Sequence, residues 1–364
     1  MVIFTQNFNN PSLHMKPITR FLLPLCMVLT LCIPANIHAQ GKIAVYGVAF
    51  YNLENLFDTI NNNGNYDLEF SPNGSRQWDG RKYRAKLQNL ARAIEAMKTE
   101  TTPLGPAIIG VSEIENKSVL DDLVREPAIR KSMFQVIHHD SPDRRGVDVA
   151  LLYNPRFFKV ENVTNHTLKI PREGFDNFRT RDQMCVTGLL GGERISIIVN
   201  HWPSRLGGQE QSSHLREAAA ALSKHIADSV WAIDPKQAVV IMGDLNDDPY
   251  DKSCAKVLGA MKNPDKVADH GFYNPWWKML DKGIGTLAYK GAWNLFDQII
   301  VGGTVLKENN TPSGLEYWKC KVNNFNFLRQ DNSDQPLRTY SAGRWLNGYS
   351  DHFPTEIFLI KRVK

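Results

Sequence analysis

Short apolar runs recur along the chain, and many of them stop at polar groups. Ile43 to Leu53 alternates well enough for a strand and runs into Asn52-Leu53-Glu54-Asn55. Asn61 to Gly80 is rich in Asn and Gly without apolar periodicity and reads as a long surface loop. From Arg81 to Lys98, Tyr83, Leu87, Leu90, Ala91, Ile94 and Met97 recur at three- and four-residue steps, predicting an amphipathic helix capped by Asp79. Ala107 to Val111 predicts a buried strand that delivers Glu113. Further strands are predicted at Phe134 to His138, Val147 to Tyr153 and Phe157 to Val163, and Gln183 to Leu190 with Glu193 to His201 reads as a hairpin across Gly191-Gly192. Ser212 to Ile233 carries a helical apolar stripe and leads into Val239-Val240-Ile241-Met242, a buried strand halted by Gly243-Asp244-Leu245-Asn246. A short helix near Ser253 to Met261, a strand through Trp293 to Val301 and a last strand over Thr355 to Ile360 complete the pattern. Adjacent strands in the middle of the chain imply antiparallel pairing.

No repeat or low-complexity linker interrupts residues 40–364, so one α/β domain is expected. At 364 residues and 42% hydrophobic content the chain can bury a large core. Its formal charge is +5, and setting aside Lys16 and Arg20, which lie in a segment expected to be removed, leaves +3, a mild excess that tolerates a phosphate-bearing substrate without implying a nucleic-acid packaging protein. The amino end changes the picture more. Lys16 and Arg20 precede an apolar stretch from Phe21 to Ile33 and a small-residue exit at Ala39, the layout of a secretory leader over residues 1–39, with Met15 as a possible start. That run is too short to span a bilayer comfortably, so no stable membrane insertion is expected, and the protein is expected in the periplasm or outside the cell as a monomer. Beyond it only Cys185, Cys254 and Cys320 remain, widely spaced, which suits buried small hydrophobes better than a zinc site.

The Gly243-Asp244-Leu245-Asn246 step has a chemical use: Gly243 admits a close approach to the backbone, Asp244 can take a proton or hold a metal, and Asn246 can orient what Asp244 holds. An EF-hand is excluded, because Pro249 and Ala255 stand where that loop needs Gly and Glu. Asn52, Glu113, His201, Asp244 with Asn246, and Ser350-Asp351-His352 all sit at predicted strand ends. Carboxylates and carboxamides from several strands, with few Cys and His, suit a hard divalent ion, Mg2+ or Mn2+ with Ca2+ as an alternative.

This ordered set resembles the endonuclease/exonuclease/phosphatase superfamily of DNase I-like enzymes. The matching pieces are Asn52 in Tyr-Asn-Leu-Glu-Asn, Glu113 in Ser-Glu-Ile-Glu-Asn, Arg181 in Thr-Arg-Asp, His201 in Asn-His-Trp, Gly-Asp-Leu-Asn at 243–246, Asp297 in Phe-Asp-Gln-Ile-Ile-Val, and Ser-Asp-His at 350–352. The resemblance implies a four-layer α/β sandwich, two mostly antiparallel sheets face to face with helices outside. It also implies metal binding by Asn52, Glu113 and Asp351. Asp244 and Asn246 would then orient or deprotonate the attacking water, His352 fixed by Asp297 would contact the scissile phosphate, and His201 with Arg181 would hold phosphate oxygens. Arg179, Arg181, Arg205, Arg216 and the tryptophans Trp202, Trp276, Trp277 and Trp293 suggest a nucleic-acid substrate, DNA and also RNA. A phosphatase, or a phosphodiesterase acting on phospholipid or inositol phosphate, is the alternative within the superfamily; a catalytically inactive binding module is the alternative outside it.

Overall fold

The structure is a computed structural model that describes residues 42–60, 67–170, 174–289, 291–306 and 314–363; the expected leader lies outside them. In chain order the elements begin with β1 (Lys42–Leu56), α1 (Gly80–Glu95), β2 (Ile108–Ile114), α2 (Lys117–Arg125), β3 (Gln135–His138), β4 (Asp148–Tyr153) and β5 (Phe158–His166). The hairpin follows as β6 (Gln183–Leu190) and β7 (Glu193–His201), then α3 (Gln209–Ile233), β8 (Ala238–Asp244), β9 (Ala260–Met261), β10 (Phe272–Tyr273) and α4 (Trp277–Leu280). The chain ends with β11 (Leu287–Tyr289), β12 (Ala292–Asn294), β13 (Asp297–Gly302), β14 (Glu316–Val322), β15 (Tyr340–Ser341), β16 (Arg344–Trp345) and β17 (Thr355–Val363).

Two large sheets result, one in the order β14-β17-β1-β2-β4-β3 and the other β5-β6-β7-β8-β13-β10-β9. The strand period of two sorts the side chains into layers. On one face of the first sheet Val48, Phe50, Ile108 and Leu151 meet Ile197, Val199, Val240 and Met242 of the second, forming the central core. The alternate residues Ala49, Tyr51, Ile109 and Val111 pack outward against Leu87, Leu90 and Ile94 of α1 and Leu120 and Leu123 of α2. On the far side Ile198, Val239 and Ile241 pack against Ala219, Ala220, Ile226 and Trp231 of α3. The layers run helix, sheet, sheet, helix, as the resemblance implies.

Each sheet is mostly antiparallel but holds a parallel pair at its centre, β1 with β2 and β7 with β8, joined through α1 and α3 respectively. Asp79 caps α1 by accepting from the Lys82 backbone N–H, worth about 1 kcal/mol for such a cap. Two local expectations change. The stretch expected as a featureless loop before α1 buries Phe70 and Trp78 in a satellite cluster with Phe57, Val147 and Tyr340. The expected helix near Ser253 is a single wide turn, Ser253–Val257, followed by the short strand β9. The helix α2, with Asn116 as its cap, was not foreseen, because its apolar positions span little more than two turns.

Candidate active site

The two central parallel pairs end at the same rim, and the antiparallel strands β13 and β17 begin there. Asn52 lies near the end of β1, Glu113 near the end of β2, His201 and Asp244 close β7 and β8 in register, and Asp297 opens β13 opposite Asp244. Asp351 and His352 lie just before β17. Irregularities in pairing interrupt β1 after Asn52 and β2 between Ser112 and Ile114. Glu54, Asn55, Glu113 and Asn246 all adopt positive φ, 47°, 51°, 59° and 51°. A bulge re-aims a side chain that regular alternation would turn into a helix layer or the core, and strained backbone of this kind gathers at functional sites.

At the rim, six predicted residues converge. Asn52 donates to Asp244 Oδ2 at 3.0 Å. His201 Nε2 lies 3.6 Å from Asp244 Oδ2 and 3.9 Å from Glu113 Oε1. His352 Nε2 lies 3.9 Å from Asp244 Oδ2, while its Nδ1 is 2.7 Å from Asp297 Oδ2. Burial opposes a charge on His352, but the Asp297 and Asp244 carboxylates outweigh it and hold the imidazole well above its ordinary range, so it is an imidazolium at neutral pH. His201 goes the other way: burial, with Arg181 and Arg145 nearby, pushes it well down and keeps it neutral. Burial raises Asp244 to about 6, against the pull of His352 and with Asp297 adding to the rise, which leaves it a base near neutrality.

The remaining site residues have more specific attachments. Asn246 fixes the turn: its backbone N–H donates to Asp244 Oδ1 at 3.0 Å and its Nδ2 to the Trp202 carbonyl at 3.0 Å. Asp351 lies at the edge, 3.9 Å from His352 Nε2, and accepts from Arg338 at 2.5 Å. Arg181, expected to hold phosphate oxygens, sends Nε to the His201 carbonyl, Nη1 to Asp143 and Nη2 to the Trp202 carbonyl, so in this arrangement it braces the end of β7. Arg216 is buried on Asp247 at 2.7 Å, and Trp202 and Trp276 are core residues, so none of these three presents a surface to a polynucleotide. Glu115 accepts from the Asp58 backbone N–H, another structural role.

Sequence reasoning missed Arg145. It donates to Glu113 at 3.2 Å and to Asn55 at 2.6 Å, and although burial raises Glu113, the Arg145 charge wins and holds that carboxyl below its usual range. Arg145 is placed by the turn after β3, where Asp148 accepts from His138 at 2.9 Å and from the Ser141 N–H and hydroxyl. In the sequence Arg145 merely follows the turn residues Ser141-Pro142-Asp143, which name no partner for it.

Two clusters among the described residues have donor atoms near enough to one another to hold a metal: Asp244, Asp297 and His352, and His138, Asp140 and Asp148. In the second, both Asp148 oxygens already take protein donors, which makes it a satisfied structural network. In the first, an ion bound to His352 Nδ1 would break the 2.7 Å contact with Asp297. The oxygen-rich side of the same pocket, around Glu113 and Asp244 with the orphaned Asp297 Oδ1 close by, has the donor chemistry of a hard divalent cation.

Residues 47–361 match the model of the Endonuclease/Exonuclease/phosphatase family. No curated protein sequence matches the chain. Solved structures with the same fold include an endonuclease/exonuclease/phosphatase family protein from Bacteroides thetaiotaomicron (16% identity, 88% of this chain and 96% of that one, TM-score 0.52). Another is D. rerio TDP2 complexed with single strand DNA product (13%, 86% and 98%, 0.51), and a third is a mannosyl-6-phosphatase from Bacteroides thetaiotaomicron VPI-5482 (16%, 86% and 99%, 0.51). With the match spanning nearly all of the described residues, the chain belongs to the endonuclease/exonuclease/phosphatase family of hydrolases that act on phosphate esters.

Proposed function

We propose that this protein is an exported, divalent-metal-dependent phosphodiesterase that hydrolyses nucleic acid. The observation that carries the chemistry is the meeting of two imidazoles around one buried carboxylate: Asp244 Oδ2 lies 3.6 Å from His201 Nε2 and 3.9 Å from His352 Nε2, with His352 Nδ1 2.7 Å from Asp297. Burial and the neighbouring charges push His352 up and His201 down. Phosphoester hydrolysis accumulates negative charge on oxygen, and a fixed imidazolium held by Asp297 is suited to stabilise it. Asp244 takes the proton of the attacking water, with the turn at Asn246 aiming its carboxylate. His201, as a neutral donor, steadies a phosphate oxygen. Glu113, Asn52 and Asp351 are the residues assigned to Mg2+ or Mn2+, and such an ion would supply charge neutralisation at the phosphate.

Nucleic acid is favoured by exposed Arg144 and Arg179, neighbours in sequence of Arg145 and Arg181, and by half-buried Arg76 and Arg338 lining the pocket that includes Asp351, cations that a polyanion needs. The D. rerio relative holding a single strand DNA product supports the same reading. A phosphomonoesterase is the second reading, favoured by a pocket beside Asp351 and by the phosphatase relative.

The test is a substrate panel with the mature protein, beginning at Gln40, and Mg2+ or Mn2+. Plasmid and single-stranded DNA are expected to be degraded, chelator to stop it, and Asp244→Asn and His352→Ala to fold normally with rates lowered by a factor on the order of 100 or more. Intact DNA with hydrolysed sugar phosphates would replace the first reading by the second.

A further inference from the structure

A pocket of about 360 Å³ opens beside the site, between the end of β1, the turn that precedes α1 and the β15–β16 hairpin. Asn55 and Asp351 form its inner edge, Phe70 and Tyr340 its wall, and Arg76 and Arg338 supply its positive charge. Resting on the nucleic-acid reading above, we infer that this pocket is a subsite for a single strand, in which Arg76 and Arg338 hold the phosphate next to the one attacked.

The wall is fixed. Trp78 donates to the Phe57 carbonyl at 2.9 Å, and the Tyr340 hydroxyl and Lys82 Nζ both donate to the Arg76 carbonyl, at 2.9 and 2.8 Å. The Arg76 guanidinium lies over Tyr340 at 5.1 Å and Phe70 at 5.8 Å, which sets its plane without consuming its donors. Glu69 takes only Nε, at 3.1 Å, leaving both Nη groups without a protein partner among the described residues. Arg338 reaches Asp351, and through that one carboxylate stands next to His352. The pocket acids leave donors free. Glu54 is met by Lys86 at 3.8 Å and by the Thr339 N–H and hydroxyl; Arg338 spends Nη2 on Asp351 and places Nε 3.6 Å from Glu54 Oε1, which leaves its Nη1 without a protein partner among the described residues. A pocket of this size between two loops admits one nucleotide of a single strand, and planar guanidinium groups suit a phosphate.

The experiment compares a fluorescein-labelled single-stranded DNA decamer with bis(p-nitrophenyl) phosphate, a diester with no second phosphate. Arg76→Ala is expected to lower kcat/KM on the decamer about tenfold and leave the small diester within about twofold. The slope of log affinity against log salt for decamer binding is expected to fall by about 0.7, the share of one phosphate contact on a single strand. Arg76→Lys, which keeps a charge, is expected to restore most of that slope, and thermal melting shows whether each variant is folded. Equal losses on both substrates, or an unchanged salt slope in a folded Arg76→Ala, overturn the subsite while leaving the nuclease reading intact. A wild-type protein that hydrolyses the small diester but neither binds nor cuts the decamer overturns both.

Discussion

At the scale of the residue, the site turns on one contact, His352 Nδ1 to Asp297 Oδ2 at 2.7 Å. The carboxylate holds the ring in one orientation and keeps it charged although it is buried. Asp297→Asn retains size and hydrogen bonding but removes the charge that opposes desolvation. We expect kcat to fall on the order of a hundredfold or more with the thermal midpoint little changed, measured by steady-state kinetics and calorimetry side by side. Most residues of this pocket were legible in the sequence because each follows or precedes an apolar run, where polarity has no packing reason to be. Arg145 was not legible, since an arginine in a turn carries no such contrast, and only the fold brings it to Glu113. Nor could sequence show that the guanidinium of Arg181 is engaged by carbonyls.

At the scale of the element, the close fit of β7 and β8 governs how well His201 and Asp244 face each other. Gly243 was read as leaving room for a ligand; instead it leaves room for the neighbouring strand. A Cβ there would meet the Asn200 carbonyl oxygen at 2.3 Å and the Asn200 Cβ at 2.7 Å. Gly243→Ala is expected to destabilise the protein by about 1–3 kcal/mol and to lower activity more than stability alone explains, read from denaturant midpoints and from kcat at a temperature where the variant is folded. Many strands and the two long helices were predictable from period alone, as β6, β7 and α3 demonstrate, but β14, seven residues on the edge beside β17, lies in a stretch expected to be loop-rich. Elements of two to five residues, such as β9, β15 and the turn at Ser253, escape because their pairing is decided by distant partners. The stretch before α1 misled for a related reason: Phe70 and Trp78 are too far apart to show a period, yet fold into one cluster.

At the scale of the whole molecule, stability should depend on pH through a buried acid outside the site, Glu356 near the start of β17. Burial raises it to about 7 despite Lys321 at 3.2 Å, above its value in an unfolded chain. The folded state therefore binds this proton more tightly, so stability falls as pH rises from about 4.5 to 7, and the full penalty holds above that range. Glu356→Gln is expected to stabilise the protein at pH 8 by roughly 3 kcal/mol at most and to give no gain near pH 4, as chemical denaturation at the two pH values would show. Among the described residues the three cysteines, Cys185, Cys254 and Cys320, are free, two of them buried, so this part of the chain rests on its layers and not on cross-links.

Strand β1, which carries Asn52, lies between β2 and β17, and Lys42 pairs with Val363 across almost the full length of the described chain. During synthesis, β1 therefore has one neighbour missing until the final segment has left the ribosome, and Asp351 and His352 arrive with that same segment. An incomplete polypeptide thus has neither a finished first sheet nor its imidazolium. The closing strand therefore completes the first sheet and the pocket in a single step.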